Sequence, residues 1–235
     1  MQGRLCIAGG TPAAPVQARR LRSQRPSPSA ATSLSVVSEF MELGLPTIRR
    51  ALDLIEPRAI TDPLLARAAV LIPIIESSDG PLVLFTKRTE TVRYHKGQIS
   101  FPGGAQNGSE PLETTALRET EEETGIAPAK VQILGRFHDY LSSSNYRVTV
   151  FVAMVANDAR VTPNPAEVAY LIHVPLRFFV ETDPECRMMQ RKGLETAVYF
   201  YRRGDEVIWG LTARIVKEFV EALVQSIPRR TPGRH

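Results

Sequence analysis

The chain has 235 residues, 43% apolar and 23% charged, which excludes a wholly disordered protein and suits one domain with appendages or at most two small ones. Its longest apolar stretches, Ala68–Ile75 and Val148–Ala156, are strand-sized, so nothing in it is long enough to span a bilayer and no membrane partner is expected. The basic charge is terminal: residues 1–38 and 226–235 hold eight arginines and no acid, which against a net +4 leaves residues 39–225 at −4, the reverse of a folded basic face, so no nucleic-acid partner is expected.

Residues 1–40 are rich in Ala, Ser, Pro and Arg and show no hydrophobic period, the composition of a disordered leader. An acid-free leader carrying Arg and Ser also fits a transit peptide, and Met41 offers a second start. Cys6 and Cys186 lie far apart with no metal-ligand spacing, consistent with a reducing compartment. The expected location is cytoplasmic, or mitochondrial if the leader is a transit peptide. The folded domain is expected over residues 41–225, with 226–235 a basic tail.

In chain order, Pro46–Ile55 reads as a helix with Ile48, Leu52 and Ile55 on one side. Ala68–Ile75 and Leu82–Lys87 read as strands joined by the turn Ser-Ser-Asp-Gly-Pro. Thr89–Lys96 is a polar loop, and Gln98–Phe101 a short strand running into Pro-Gly-Gly. A helix is expected over 111–124, with Ser109 as N-cap and Gly125 as its stop. Strands follow near 131–137 and 146–156, then the apolar segment Glu167–Val174 and a short helix from Pro175. Strands near 197–201 and 206–209 precede a last amphipathic helix at about 212–225. Interspersed strands and helices make this an α/β domain of packed layers. Trp209 is expected to anchor the core beneath that helix.

The helix at 111–124 contains Arg118-Glu119-Thr120-Glu121-Glu122-Glu123, four carboxylates in five residues. Like charges one turn apart repel. At about 100° per residue, Glu119, Glu122 and Glu123 share one face and Glu121 faces away. Three carboxylates on a stripe form a hard-oxygen site suited to Mg²⁺ or Mn²⁺, and the upstream Gly103-Gly104 permits a turn whose carbonyl can face the same ion. A solvated acidic helix face is the alternative.

The full spacing narrows the choice. Gly104, five residues, Glu110, seven residues, Arg118-Glu119, two residues, Glu122-Glu123, one residue, Gly125-Ile126 resembles the Nudix box throughout. Thr120 departs from the aliphatic or small residue usual there, although its methyl can still pack. The resemblance implies a Nudix-type α/β/α sandwich with a mixed central sheet. It implies Glu119, Glu122 and Glu123 as catalytic metal ligands, joined by the Gly104 carbonyl, and Glu110 with Arg118 as a structural pair. Cleavage of a nucleoside diphosphate joined to a further group is the implied reaction. Glu167 has a suitable place for the further carboxylate such enzymes take from outside the box, or it is a solvent-facing residue at a strand start.

Upstream, Lys87-Arg88, His95, Gly97-Gln98 and Ser100–Gly104 are similar to the signature of the coenzyme A pyrophosphatase branch, as are Glu167–Leu176 and Ile208–Val216. The resemblance covers roughly residues 67–220. It implies coenzyme A or acyl-coenzyme A as the small-molecule substrate, with Lys87, Arg88, His95 and Gln98 in its binding. The cationic cluster Lys87, Arg88, Arg93, His95 and Lys96 would suit the 3′-phosphate, and the loop Ser142–Arg147 could close over the pantetheine or ribose. Lys87 and Arg88 could instead merely cap a strand edge. ADP-ribose, NADH or a nucleoside triphosphate remains the alternative substrate, a homodimer is left open, and the complete set of carboxylates speaks against an inactive binding module.

Overall fold

The computed structural model describes residues 43–90, 96–191 and 193–228. Residues 1–40, Arg93, His95 and most of the basic tail lie outside these. In chain order the elements are α1 (Leu45–Leu54), β1 (Ala66–Ile75), β2 (Leu82–Arg88), β3 (Ile99–Ser100), β4 (Gly103–Ala105), α2 (Leu112–Thr124), a 3₁₀ turn at Pro128–Lys130, β5 (Val131–Leu141), β6 (Tyr146–Val155), β7 (Val168–Pro175), α3 (Leu176–Glu181), β8 (Glu185–Arg191), β9 (Leu194–Arg203), β10 (Glu206–Trp209) and α4 (Leu211–Ser226).

β1 is apolar along most of its length because both of its faces are covered. Ala69 and Leu71 are buried on one side, against Ala116 of α2 and Phe151 and Ala153 of β6. Ile72 and Ile74 are buried on the other, in the main core with Phe85, Phe137 and Phe219 and with residues of α1, α3 and α4. The result is the expected α/β/α sandwich, and its sheet is mixed. β1 and β6 run parallel from Ala66↔Tyr146 to Ile75↔Val155, whereas β2 pairs antiparallel with both β1 and β7.

One irregularity positions the site. β1 and β2 pair only at Ile74↔Val83 and Ile75↔Leu82 and then diverge. The segment 99–105 occupies the divergence: β3 pairs with β2, β4 pairs with β1, and the Pro102 carbonyl accepts the Leu71 N–H at 2.9 Å. This wedge brings Gly103 and Gly104 between the central strand and α2.

A second, three-stranded antiparallel sheet, in the order β10-β9-β8, stands on the α4 side. Tyr201 and Ile208 root it in the main core, and Lys87 Nζ donates to Glu206 Oε2 at 3.0 Å. β8 and β4 have no counterpart in the sequence reading. Residues 185–190 of β8 are exposed on both faces, so the segment carries no alternation to read. Among the described residues no helix is long and apolar enough to cross a membrane.

Candidate active site

α2 buries three of its four threonines and an alanine rather than large apolar side chains. Thr115, Ala116, Thr120 and Thr124 are fully covered, and these small residues let the helix lie close to β1. Each hydroxyl finds an acceptor: Thr120 Oγ1 donates to the Ala116 carbonyl at 2.7 Å, Thr124 Oγ1 to the Thr120 carbonyl at 2.6 Å, and Thr115 Oγ1 to Glu110 Oε1 at 3.0 Å. Thr120 is therefore accommodated at its unusual position. Gly125 closes the helix in the left-handed conformation (φ 72°), its N–H on the Glu121 carbonyl at 2.8 Å. Ser109 is not the cap, since Pro111 holds the N-cap position with no side-chain bond. The Glu110 carboxylate instead accepts the Asn107 N–H at 2.9 Å.

Glu110 and Arg118 are brought together as expected. Arg118 Nη2 reaches Glu110 Oε1 at 2.9 Å and the Ala105 carbonyl at 3.2 Å, which ties the loop to the helix. The guanidinium, with the Asn107 N–H and the Thr115 hydroxyl, holds the Glu110 carboxyl down at about 2. The same arginine does more than the sequence implied. Its Nη1 donates to Glu119 Oε1 at 2.8 Å and to Glu122 Oε2 at 3.1 Å. Much of the repulsion along the stripe is thereby neutralised from within.

Glu123 is different. Its side chain is 3% exposed, its Oε1 lies 3.6 Å from Arg88 Nη1, and its Oε2 is buried with no hydrogen-bond partner. Burial pushes its pKa up to about 8 against the pull of Arg88, and the charges of Glu119 and Glu167 add to the rise. Burial likewise raises Glu119. Glu121, on the far face, is exposed.

Glu167 is exposed and precedes β7, where it was expected. Its carbonyl accepts the Thr89 N–H at 2.9 Å, while Asn164 in its loop donates its N–H to the Glu123 carbonyl at 3.0 Å. The loop is thus strapped to the last turn of α2, and the charge of Glu167 is felt by both Glu119 and Glu123.

Among the described residues no three carboxylate, imidazole or thiol groups converge as a closed cation cage. Glu119 and Glu122 are turned to Arg118 instead. The residues nevertheless fit a divalent cation. An orphaned carboxylate oxygen sits in a buried, acid-rich corner, and the turn beside it is shaped around a carboxylate: a Cβ built on Gly104 would lie 2.3 Å from Glu119 Oε2.

Lys87 and Arg88 are not brought together. Neighbours in a strand point to opposite faces. Arg88 faces Glu123, whereas Lys87 is committed to Glu206, which also accepts from the Tyr170 hydroxyl. A shared 3′-phosphate site built on both side chains does not form, and His95 lies outside the described residues. Gln98 is close to Arg88 through its backbone, its carbonyl accepting the Arg88 N–H at 2.9 Å.

A cleft of about 340 Å³ opens beside the glycine turn, with Arg88, Gln98 and Gly103 at one end and Ser142, Val198 and Trp209 farther along. The loop at 142–143 lines it, as the sequence indicated. Trp209 also lines it, stacked on Phe200 with centroids 6.0 Å apart, rather than anchoring the core. Val198 joins this wall through long-range folding and carried no local signal, whereas Leu211 lies in the Ile208–Val216 stretch that the sequence had singled out. A larger cleft of about 670 Å³, with Ile74, Glu76, Gly80 and Arg177 among its walls, contains none of the motif residues.

Glu123 yields a signed pH prediction. Its carboxyl holds a proton up to about pH 8 in the fold and to about 4.5 in the unfolded chain, so the native state binds the extra proton between those values and stability falls as pH rises through them. His138 and His173, whose pKa values desolvation lowers, act in the opposite sense, and comparison with Glu123→Gln cancels their share. In chelator-treated protein the Tm of the wild type, relative to that of Glu123→Gln, should fall by several degrees from about pH 5 to about pH 8. A constant difference in a thermal scan across this window contradicts the proton-holding carboxyl.

A sequence profile of the NUDIX domain matches residues 65–183. The protein described as "uncharacterized Nudix hydrolase NudL" in Photorhabdus laumondii is 40% identical over 156 residues, which cover 66% of this chain and 83% of that protein. Its namesake in Yersinia pestis is 39% identical over 157 residues, covering 66% and 78% respectively. Among solved structures, the Nudix hydrolase RenU of M. smegmatis aligns over 71% of this chain and 90% of its own, with 16% identity and a TM-score of 0.49. With half of its length matched to the domain and 40% identity to such a relative, the chain belongs to the Nudix family, hydrolases of nucleoside diphosphate derivatives that generally use divalent metals such as Mg²⁺.

Proposed function

We propose that the chain hydrolyses the pyrophosphate of coenzyme A or its acyl derivatives, giving 3′,5′-ADP and 4′-phosphopantetheine or its acyl form. The supporting observation is one cleft lined by three residues of the Lys-Arg…Gly-Gln-x-x-Phe-Pro-Gly-Gly run, Arg88, Gln98 and Gly103, of which Arg88 lies 3.6 Å from the Glu123 carboxylate.

Glu119, Glu122, Glu123 and the Gly104 carbonyl would hold Mg²⁺ or Mn²⁺. Bound there, the ion screens the non-bridging phosphate oxygens and lowers the pKa of the attacking water. Glu167, exposed and strapped to the end of α2, takes the proton as the water oxygen bonds to one phosphorus and the bridging P–O bond breaks. Arg88, beside Glu123, presents its guanidinium to the pyrophosphate rather than to a remote 3′-phosphate. Gln98 shares that end of the cleft, while Lys87 holds Glu206 of the second sheet. Glu110 and Arg118 fix the turn on which the ligands depend.

A panel of coenzyme A, acyl-coenzyme A, dephospho-coenzyme A, ADP-ribose, NADH and dNTPs, with Mg²⁺ and with Mn²⁺ and with products identified by mass, tests the reading. Coenzyme A species should show the highest kcat/KM and should yield a phosphopantetheine. A clear preference for ADP-ribose or a dNTP contradicts it. Arg88→Ala should lower kcat/KM by about 10–100-fold on coenzyme A and dephospho-coenzyme A alike, the scale of one charged hydrogen bond. A loss confined to coenzyme A would move Arg88 to the 3′-phosphate.

A further inference from the structure

The cleft has two ends of unlike chemistry. The end at Arg88 and Gly103 borders the carboxylates. The other wall is built by β9, β10 and the start of α4: Thr196, Val198, Trp209 and Leu211. These side chains carry no charge. Of the described cations that line the cleft, Arg88 lies at the carboxylate end, 3.6 Å from Glu123, and Arg214 pairs with Glu218 at 2.9 Å and lies over the Tyr140 ring. Among the described residues, Thr196, Val198, Trp209 and Leu211 offer no charge to a phosphorylated ribose, whereas an uncharged chain of methylenes and amides would find apolar surface with hydroxyls at Ser142 and Thr196.

Trp209 is held ready for such a chain. It pairs across the ladder with Phe200, their rings are within 7° of parallel, and Arg187 sits over the far aromatic at 5.1 Å. A ring already stacked loses little freedom when a ligand lies on it. Thr196, Val198, Trp209 and Leu211 fall outside residues 65–183, the span matched by the domain profile.

We propose that this wall seats the group joined to the nucleoside diphosphate, and that Trp209 is its selectivity-determining residue. Resting on the reading above, the group is the pantetheine arm with its acyl cap.

Trp209 is the only tryptophan of the chain, so its emission reports the wall directly. In chelator-treated full-length protein, where turnover is stopped, coenzyme A and 4′-phosphopantetheine should each shift or quench that emission, and 3′,5′-ADP should leave it unchanged. An equal response to 3′,5′-ADP, or none to coenzyme A, overturns the proposal. With metal restored, Trp209→Ala should lower kcat/KM for coenzyme A about tenfold or more, chiefly through KM, and that for ADP-ribose by less than about threefold. Trp209→Phe should recover most of the loss, and unchanged Tm values show that the second sheet is intact. A wild type that prefers coenzyme A, with Trp209→Ala lowering both substrates in proportion, removes this proposal alone. A wild type that prefers ADP-ribose removes it together with the coenzyme A reading.

Discussion

Glu122→Gln should lower kcat/KM by on the order of 10²–10³-fold, the scale of losing one preorganised electrostatic contact to the transition state, while Glu121→Gln should stay within about threefold of wild type. The two residues are adjacent and both are exposed, so position on the helix is the main difference between them. Glu122 shares Arg118 with Glu119, whereas Glu121 faces away from the site. Stability should hardly change in either variant. The Glu122 side chain is 55% exposed, so its ion pair with Arg118 is worth at most about 1 kcal/mol, and removing a repelling neighbour offsets part of that. Mg²⁺ should raise the wild-type Tm by binding the native state, and less so in Glu122→Gln. Equal losses of activity in the two variants would reduce the four carboxylates to a diffuse acidic patch.

Gly103→Ala and Gly104→Ala should fail in opposite ways. At Gly103 (φ 149°) a Cβ would lie 2.3 Å from the Ala69 carbonyl oxygen and 2.6 Å from Val70 Cα. Both are backbone atoms of the central strand and cannot yield, so the fold should lose about 3 kcal/mol or more, seen as a large fall in Tm. At Gly104 the three atoms nearest the Cβ all belong to the Glu119 carboxylate, the far end of a side chain rather than backbone. That variant should fold with nearly the wild-type Tm and lose activity on the order of 10²-fold, because the carboxylate is pushed from its place. If Gly104→Ala keeps its activity, Glu119 is not needed where the structure has it.

The long, strongly patterned elements were legible: the central strand with its doubly buried apolar run, and α2 with its glycine stop. Helical spacing also separated Glu121 from Glu119 and Glu122, which share Arg118 in the structure. Other features failed for identifiable reasons. β8 is solvated on both faces, which erases the alternation that would mark it. The Ser109 cap does not form because the helix begins later, with Pro111 at the N-cap position. The opposite facing of Lys87 and Arg88 could have been read from the two-residue period of their strand. The cleft wall of Val198, Trp209 and Leu211 could not, since only the docking of the second sheet brings it to the glycine turn.

Arg118 gives the helix an internal counter-ion. The metal-free protein is therefore no spring of compressed negative charge waiting for relief, and on the proposed reading loading would be an exchange in which an incoming cation competes with a tethered guanidinium for Glu119 and Glu122. Such competition would weaken the net affinity for the cation. Activity would then follow the free divalent-ion concentration around it in a graded way, and a brief fall in that concentration would idle the enzyme without unfolding it.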